Sequence, residues 1–173
     1  MLAAVNQIVS SLLMENALQT ALLVFLCLFF AYGSFVSGWL LMLPLLFRTI
    51  LIFGILGFLK VGLTAEMIPV AALGIGVGVD FSLYVVSRVK DELKEGGGAL
   101  GKALMEAMST SGKAVFFTGL SLTVGIAAWM FSPILMQARL GALLSFFIFF
   151  NAVGTLLVLP SMIMTVKPKF LNK

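Results

Sequence analysis

Residues 66–88 read EMIPVAALGIGVGVDFSLYVVSR, and they are the most informative segment of the sequence. It is an almost unbroken apolar run, long enough to cross a bilayer as a helix, which takes about 20 residues. Its only internal acid is Asp80, eight residues before Arg88 and therefore about 12 Å from the basic end of a helix. An ionisable group at that depth costs several kcal/mol unless it is paired or protonated. Asp80 is therefore the first candidate functional residue.

Helical geometry divides this span into two faces. Gly76 and Tyr84 lie one turn on either side of Asp80. About 160° away runs a stripe of small residues that predicts close helix packing: Gly74, Gly78 and Ser82. The glycines do not predict a phosphate-binding loop, because such a loop follows a strand and faces water. A helix with both faces is expected at the centre of a bundle.

Composition assigns the protein class. Apolar residues make up 61% of the chain and charged residues 10%, with a mean hydropathy of +1.17, whereas soluble domains carry roughly 25% charged residues. There is no histidine, so the commonest general base and metal ligand are missing, and we predict neither an enzyme, a metal site nor a cofactor. The single cysteine, Cys27, excludes an internal disulfide.

The sequence predicts an all-α, polytopic membrane bundle of about five transmembrane helices. The spans are placed at about 17–34, 36–58, 66–88, 113–132 and 141–164. Helices are preferred to a barrel because the runs lack period-two alternation. Residues 1–16 form an amphipathic lead-in without a cleaved signal peptide, and Ser132-Pro133 marks a break.

Charge placement predicts the orientation. Basic residues concentrate in the loop 89–112 or at its borders and in the tail 167–173. The positive-inside rule puts both in the cytoplasm and the N-terminus outside. The net charge of +4 thus fits membrane topology rather than nucleic-acid binding. Two interpretations of the loop remain open, a solvated linker and a short amphipathic surface helix at 99–108.

Span four offers hydroxyl partners for Asp80. Thr118, Ser121 and Gly125 share one face, and Ser121 lies eight residues into the span, at the depth of Asp80. A hydroxyl stripe at that depth suits either a proton path or a hydrogen-bonded acid.

Arg48 lies twelve residues into span two, near the bilayer centre. It either snorkels to the interface or faces the interior and pairs with an acid, and Asp80 is the candidate for that pairing. Asn151 and Thr155 stand one turn apart in span five, and interhelical hydrogen bonding is their expected role.

Residues 72–84 (ALGIGVGVDFSLY), followed by Ser87-Arg88, resemble the fourth or tenth helix of the resistance-nodulation-division superfamily, closest to its MMPL-type exporters. Residues 110–122 (TSGKAVFFTGLSL) resemble the next helix. The resemblance runs from about residue 17 to 164. It implies helices two to six of a six-helix half, most simply the second half, so the bundle is a partial half-repeat.

The resemblance implies an exporter of hydrophobic compounds or lipids, driven by the proton-motive force in a bacterial-type inner membrane. By match of position, Asp80 carries the proton beside Thr118 and Ser121. Many members have tyrosine after this aspartate, where this chain has Phe81, and Tyr84 is a candidate replacement. The family also carries further helices and large extracytoplasmic domains, so we expect this chain to be a fragment or a split subunit whose partners are the remaining half, the bilayer and a lipid-like substrate.

Two other classes of membrane protein share features with this sequence. The five-helix core also resembles sterol-sensing domains, which implies a lipid-binding or regulatory module without transport of its own. An intramembrane aspartyl protease needs two aspartates at one site. The other aspartate, Asp91, lies in the predicted cytoplasmic loop, which disfavours the protease.

Overall fold

The computed structural model describes residues 2–32, 35–58, 67–96 and 100–166. They form helices α1 (Leu2–Tyr32), α2 (Phe35–Phe58), α3 (Met67–Gly96), α4 (Leu100–Ala107), α5 (Lys113–Ala127) and α6 (Leu135–Val166). A π-helical turn, Met108–Gly112, joins α4 to α5, and a 3-10 turn, Ala128–Phe131, ends α5. No strand occurs in these ranges, so the all-α prediction is confirmed.

The number of spans is also confirmed, because five helical segments of the described chain are long and apolar enough to cross a membrane. The fourth of them runs from Leu100 to Phe131 and so includes α4, the π-helical turn, α5 and the 3-10 turn. The chain breaks after α5 at Ser132, whose backbone is extended. Its hydroxyl accepts a hydrogen bond from the Ile134 amide at 3.2 Å and donates one to Gln137 Oε1 at 3.1 Å. These bonds stabilise the beginning of α6 at Leu135.

Helix α3 is the centre of the bundle and packs against α1, α2, α4 and α6. Its buried apolar side chains follow the face away from Asp80 and include Val70, Ile75, Val79 and Val86. Helix α5, in contrast, packs mainly on α6. Within α5 only Val115 and Gly119 are buried, so most of that helix is exposed on the surface of the chain.

The predicted lead-in and the first span lie on one continuous helix, α1, from Leu2 to Tyr32. The part of α1 that is apolar enough to cross a membrane begins at Ser11, within the predicted lead-in 1–16. The polar residue Asn16 does not interrupt it, since its side chain donates to the Leu12 carbonyl of the same helix at 2.9 Å. The basic tail 167–173 lies outside the described residues.

The predicted loop 89–112 is largely helical. Helix α3 continues through Gly96, supported by an ion pair of 2.6 Å between Arg88 and Glu92 one turn apart. Helix α4 then packs back on α3 through Ala103, Leu104 and Ala107, close to the predicted helix at 99–108. The segment is therefore a packed helical extension of the bundle rather than a solvated linker.

Candidate functional site

Arg48 is buried in the interior, with 4% of its surface exposed. Its Nε donates to the Pro44 carbonyl at 3.0 Å, and Nη1 donates to the Asn151 carbonyl at 2.9 Å and to the Thr155 hydroxyl. Its Nη2 donates to the Ser82 hydroxyl at 3.3 Å. Arg48 therefore does not snorkel. It bonds to neutral oxygens on α2, α3 and α6.

The structure does not bring Arg48 and Asp80 together. The hydrogen bonds of Arg48 go to Pro44, Ser82, Asn151 and Thr155, and an ion pair on α3 joins Arg88 to Glu92. Arg48 bonds to Ser82, on the small-residue face of α3, while Asp80 is exposed on the opposite side of that helix. The sequence placed the two residues at comparable depth, but depth says nothing about which side of α3 each one occupies.

The small-residue stripe of α3 lies against α2 and α6. A Cβ atom at Gly74 would lie 2.5 Å from Cδ1 of Phe147, and one at Gly78 would lie 2.7 Å from Cδ1 of Leu45. Ser82, which donates to the Gly78 carbonyl at 3.1 Å, is fully buried. The stripe is thus where the three helix backbones approach one another.

Asn151 links α6 directly to this stripe. Its Nδ2 donates to the Gly74 carbonyl at 2.9 Å, and its main-chain carbonyl accepts from Arg48. Its Oδ1 is buried without a hydrogen-bond partner and packs against Gly78. Both Asn151 and Thr155 therefore make the interhelical hydrogen bonds that their spacing predicted.

Sequence reasoning missed Gly154. A Cβ atom there would overlap Cδ of Arg48. The signal available in the sequence was a glycine between Asn151 and Thr155, at a level that a buried arginine from another span could reach.

Each of the predicted relay residues is exposed on the surface of the described chain. Asp80 and Tyr84 are exposed on α3, and Thr118 and Ser121 are exposed on α5. Helices α3 and α5 meet where the buried Phe81 ring faces Gly119, since a Cβ atom at Gly119 would lie 3.7 Å from Cζ of Phe81. Asp80 and Thr118 are the chain neighbours of these two contact residues, so they flank the α3–α5 junction.

The chain matches one protein family over nearly its whole length. The family model described as "MMPL family" matches residues 1–170. The chain belongs to the MMPL family. Among the described residues, no group of three or more His, Cys, Asp or Glu side chains is placed to hold a metal ion.

Relatives of this MMPL chain include proteins of two organisms. A membrane protein from Methanocaldococcus jannaschii is 30% identical over 70% of this chain and 31% of its own length. The trehalose monomycolate exporter MmpL3 from Mycolicibacterium smegmatis is 29% identical over 64% of this chain and 11% of its own. The mycolic acid-containing lipids exporter MmpL11 from that organism is 33% identical over 44% of this chain and 8% of its own length. The matched part is thus less than a third of each of these relatives.

Proposed function

We propose that this MMPL chain is the proton-coupled membrane part of an exporter of hydrophobic compounds or lipids, a transporter rather than an enzyme. The observation that carries this proposal is Asp80, an acid within an apolar span that faces out of the bundle beside the α3–α5 junction. Two relatives of the chain are a trehalose monomycolate exporter and an exporter of mycolic acid-containing lipids, which supports a lipid-like cargo.

The proposed mechanism follows from the position of Asp80. Desolvation in the membrane disfavours a carboxylate, whereas hydroxyl donors favour it. In this proposal Thr118 and Ser121, which are exposed on α5, supply the hydroxyl donors, and Tyr84 lies one turn further along α3. Helix α5 packs mainly on α6 and only slightly on α3, so it can move relative to α3. In this proposal a small movement of that kind brings the hydroxyl groups of α5 closer to Asp80 or takes them away. Such a change would load or release a proton.

The exposed Asp80 face also implies a partner. Asp80, Tyr84, Thr118 and Ser121 are polar residues within spanning segments, and polar groups in lipid are costly. We propose that the remaining half of the transporter covers this face and brings the extracytoplasmic domains that engage the substrate.

We further propose a bacterial-type inner membrane, with the N-terminus outside and the C-terminus in the cytoplasm. The exposed Lys94 on α3, Lys102 on α4 and Lys113 at the start of α5 support this orientation. A cysteine replacing Gly97, in a Cys27→Ala chain, should resist an impermeant thiol reagent applied to intact cells. Labelling from outside would reverse the proposed topology.

The decisive experiment for the relay is Asp80→Asn in the assembled transporter, which keeps the shape of the side chain and removes its titration. Proton-coupled export should be abolished at normal expression, and Ser121→Ala should weaken it less because Thr118 or water can replace one hydroxyl. Asp91→Asn is the matched control, since Asp91 is an exposed acid of the same helix beyond the Arg88 level. Export at the parent rate by Asp80→Asn would refute the relay.

A lipid-binding or regulatory module, similar to a sterol-sensing domain, is the second candidate. It is favoured by an apolar groove of about 450 Å³ between α1, α2 and α3, lined by residues that include Leu18, Ile50 and Phe53. Lipid binding that persists in Asp80→Asn, together with no proton-coupled export by the parent assembly, would select this candidate over the exporter.

A further inference from the structure

The proposed relay makes no use of Arg48. A guanidinium within a membrane span is costly, and such residues usually pair with a carboxylate or with main-chain carbonyls. Here four donor contacts of Arg48 go to neutral oxygens in the interior, and none goes to a described acid. An arginine held in this way points to a role in arranging the helices around it.

The bonds connect every pair among three helices. Arg48 ties α2 to α6 through the Asn151 carbonyl and the Thr155 hydroxyl, and ties α2 to α3 through Ser82. Asn151 closes the set by tying α6 to α3 at the Gly74 carbonyl. We call these residues the polar clamp: Arg48, Ser82, Asn151 and Thr155.

The two attachments on α3 lie on one face. Gly74 and Ser82 are eight residues apart, which is about 12 Å along a helix. Hydrogen bonds at two levels of the same face oppose rotation of α3 about its axis more strongly than a single bond, around which a helix could pivot. Gly78, between them, is packed against Leu45 and Asn151, so the face has no room to turn.

We propose that Arg48 and Asn151 are positioning residues that fix the rotation of α3 and thereby aim Asp80 out of the bundle. The face of α3 that Arg48 and Asn151 hold is centred about 160° around the helix from Asp80. Fixing that face in the interior therefore keeps Asp80 exposed on the other side of α3. The inference rests on the proposed function only in naming Asp80 as the residue positioned.

The test measures the rotation of α3 in a bilayer. In the full chain with Trp39→Phe and Trp129→Phe, a single tryptophan is placed at Tyr84→Trp or at Phe81→Trp. Tyr84 is 67% exposed and Phe81 is 3% exposed. In phosphatidylcholine vesicles whose acyl chains are brominated near their midpoint, the lipid should therefore quench the fluorescence of a tryptophan at position 84 strongly and that of a tryptophan at position 81 weakly.

Arg48→Met should remove most of that difference, and Arg48→Lys, which keeps the charge but reaches fewer acceptors, should remove part of it. Helix content by circular dichroism is matched to the parent before comparison. Asn151→Leu keeps Arg48 and removes the hydrogen bond to the Gly74 carbonyl, and it should also reduce the quenching difference. This variant tests the clamp if Arg48→Met does not insert into the membrane. Arg139→Met, at an exposed arginine of α6, is the control and should change nothing.

An undiminished quenching difference in the folded Arg48→Met and Asn151→Leu chains would overturn the clamp. The measurement involves no transport. A failure of the relay, seen as full export by Asp80→Asn, would therefore leave the quenching result and the clamp intact, and the two proposals fail separately.

Discussion

Gly154 of α6 lies directly against the stem of Arg48 from α2. A Cβ atom at this glycine would overlap Cδ of Arg48 and lie 3.0 Å from its Cγ. The arginine cannot step aside, because its guanidinium is hydrogen-bonded on α2, α3 and α6. The absence of a side chain at Gly154 is therefore a condition for the buried position of Arg48.

Gly154→Ala should destabilise the chain, because the added methyl group overpacks the site by about 1–3 kcal/mol. Gly125→Ala is the matched control, since Gly125 is an exposed helical glycine with nothing within 4 Å of an added Cβ. It should stay within about 1 kcal/mol of the parent. Unfolding by denaturing detergent in mixed micelles measures both. Equal stability of the two variants would contradict the packing described here.

Gly119→Ala should loosen α5 from α6, because its new Cβ would lie 2.5 Å from that of Ala152. The double variant Gly119→Ala with Ala152→Gly exchanges the methyl group between helices and should recover much of the lost stability. The same unfolding measurement gives the coupling energy of this cycle. Simple additivity of the two changes would show that the helices do not meet there.

Thr155→Val should cost about 1–3 kcal/mol, since it keeps the shape of the side chain but leaves a buried donor of Arg48 without its acceptor. Thr165→Val serves for comparison. Thr165 is exposed and donates only within α6, to the Ser161 carbonyl at 2.8 Å, so its replacement should fall within about 0.5 kcal/mol of the parent. A harmless Thr155→Val would argue against the hydrogen bond to Arg48.

Asp80→Asn should leave the stability of the isolated chain within about 0.5 kcal/mol of the parent, because the carboxyl group is exposed on the open side of α3. Thermal unfolding in micelles at constant pH is sufficient to test this. A large loss would mean that Asp80 is a structural acid of this bundle. Together with the export assay, the result separates a role in folding from a role in proton transfer.

The sequence was sufficient for the spans, because continuous apolar runs have no other stable arrangement in a bilayer. It was insufficient at 89–112, where polar residues suit a loop and an exposed helix equally well. What decides between them is packing, since Ala103, Leu104 and Ala107 bury one face of α4 on the bundle.

The surroundings of Arg48 show a second limit. Its depth could be counted along the helix, and its interior position was one of the two stated alternatives. Its acceptors include the main-chain carbonyls of Pro44 and Asn151, and main-chain groups carry no signature in residue identity. A prediction based on side chains alone therefore pairs Arg48 with the acid at comparable depth, Asp80. In the structure Asp80 lies on the opposite face of α3 from the one that Arg48 contacts.

The π-helical turn at Met108–Gly112 has a consequence for the register of the chain. A π turn closes its hydrogen bonds from i to i+5 and so holds one residue more than an α turn. One residue corresponds to about 100° of rotation, so the sides of α5 are out of phase with those of α4 by that angle. A chain shortened by Ser111 would turn Gly119 away from Ala152, although both residues would still be present. The face of α5 that packs on α6 thus depends on the number of residues in this turn as much as on their identities.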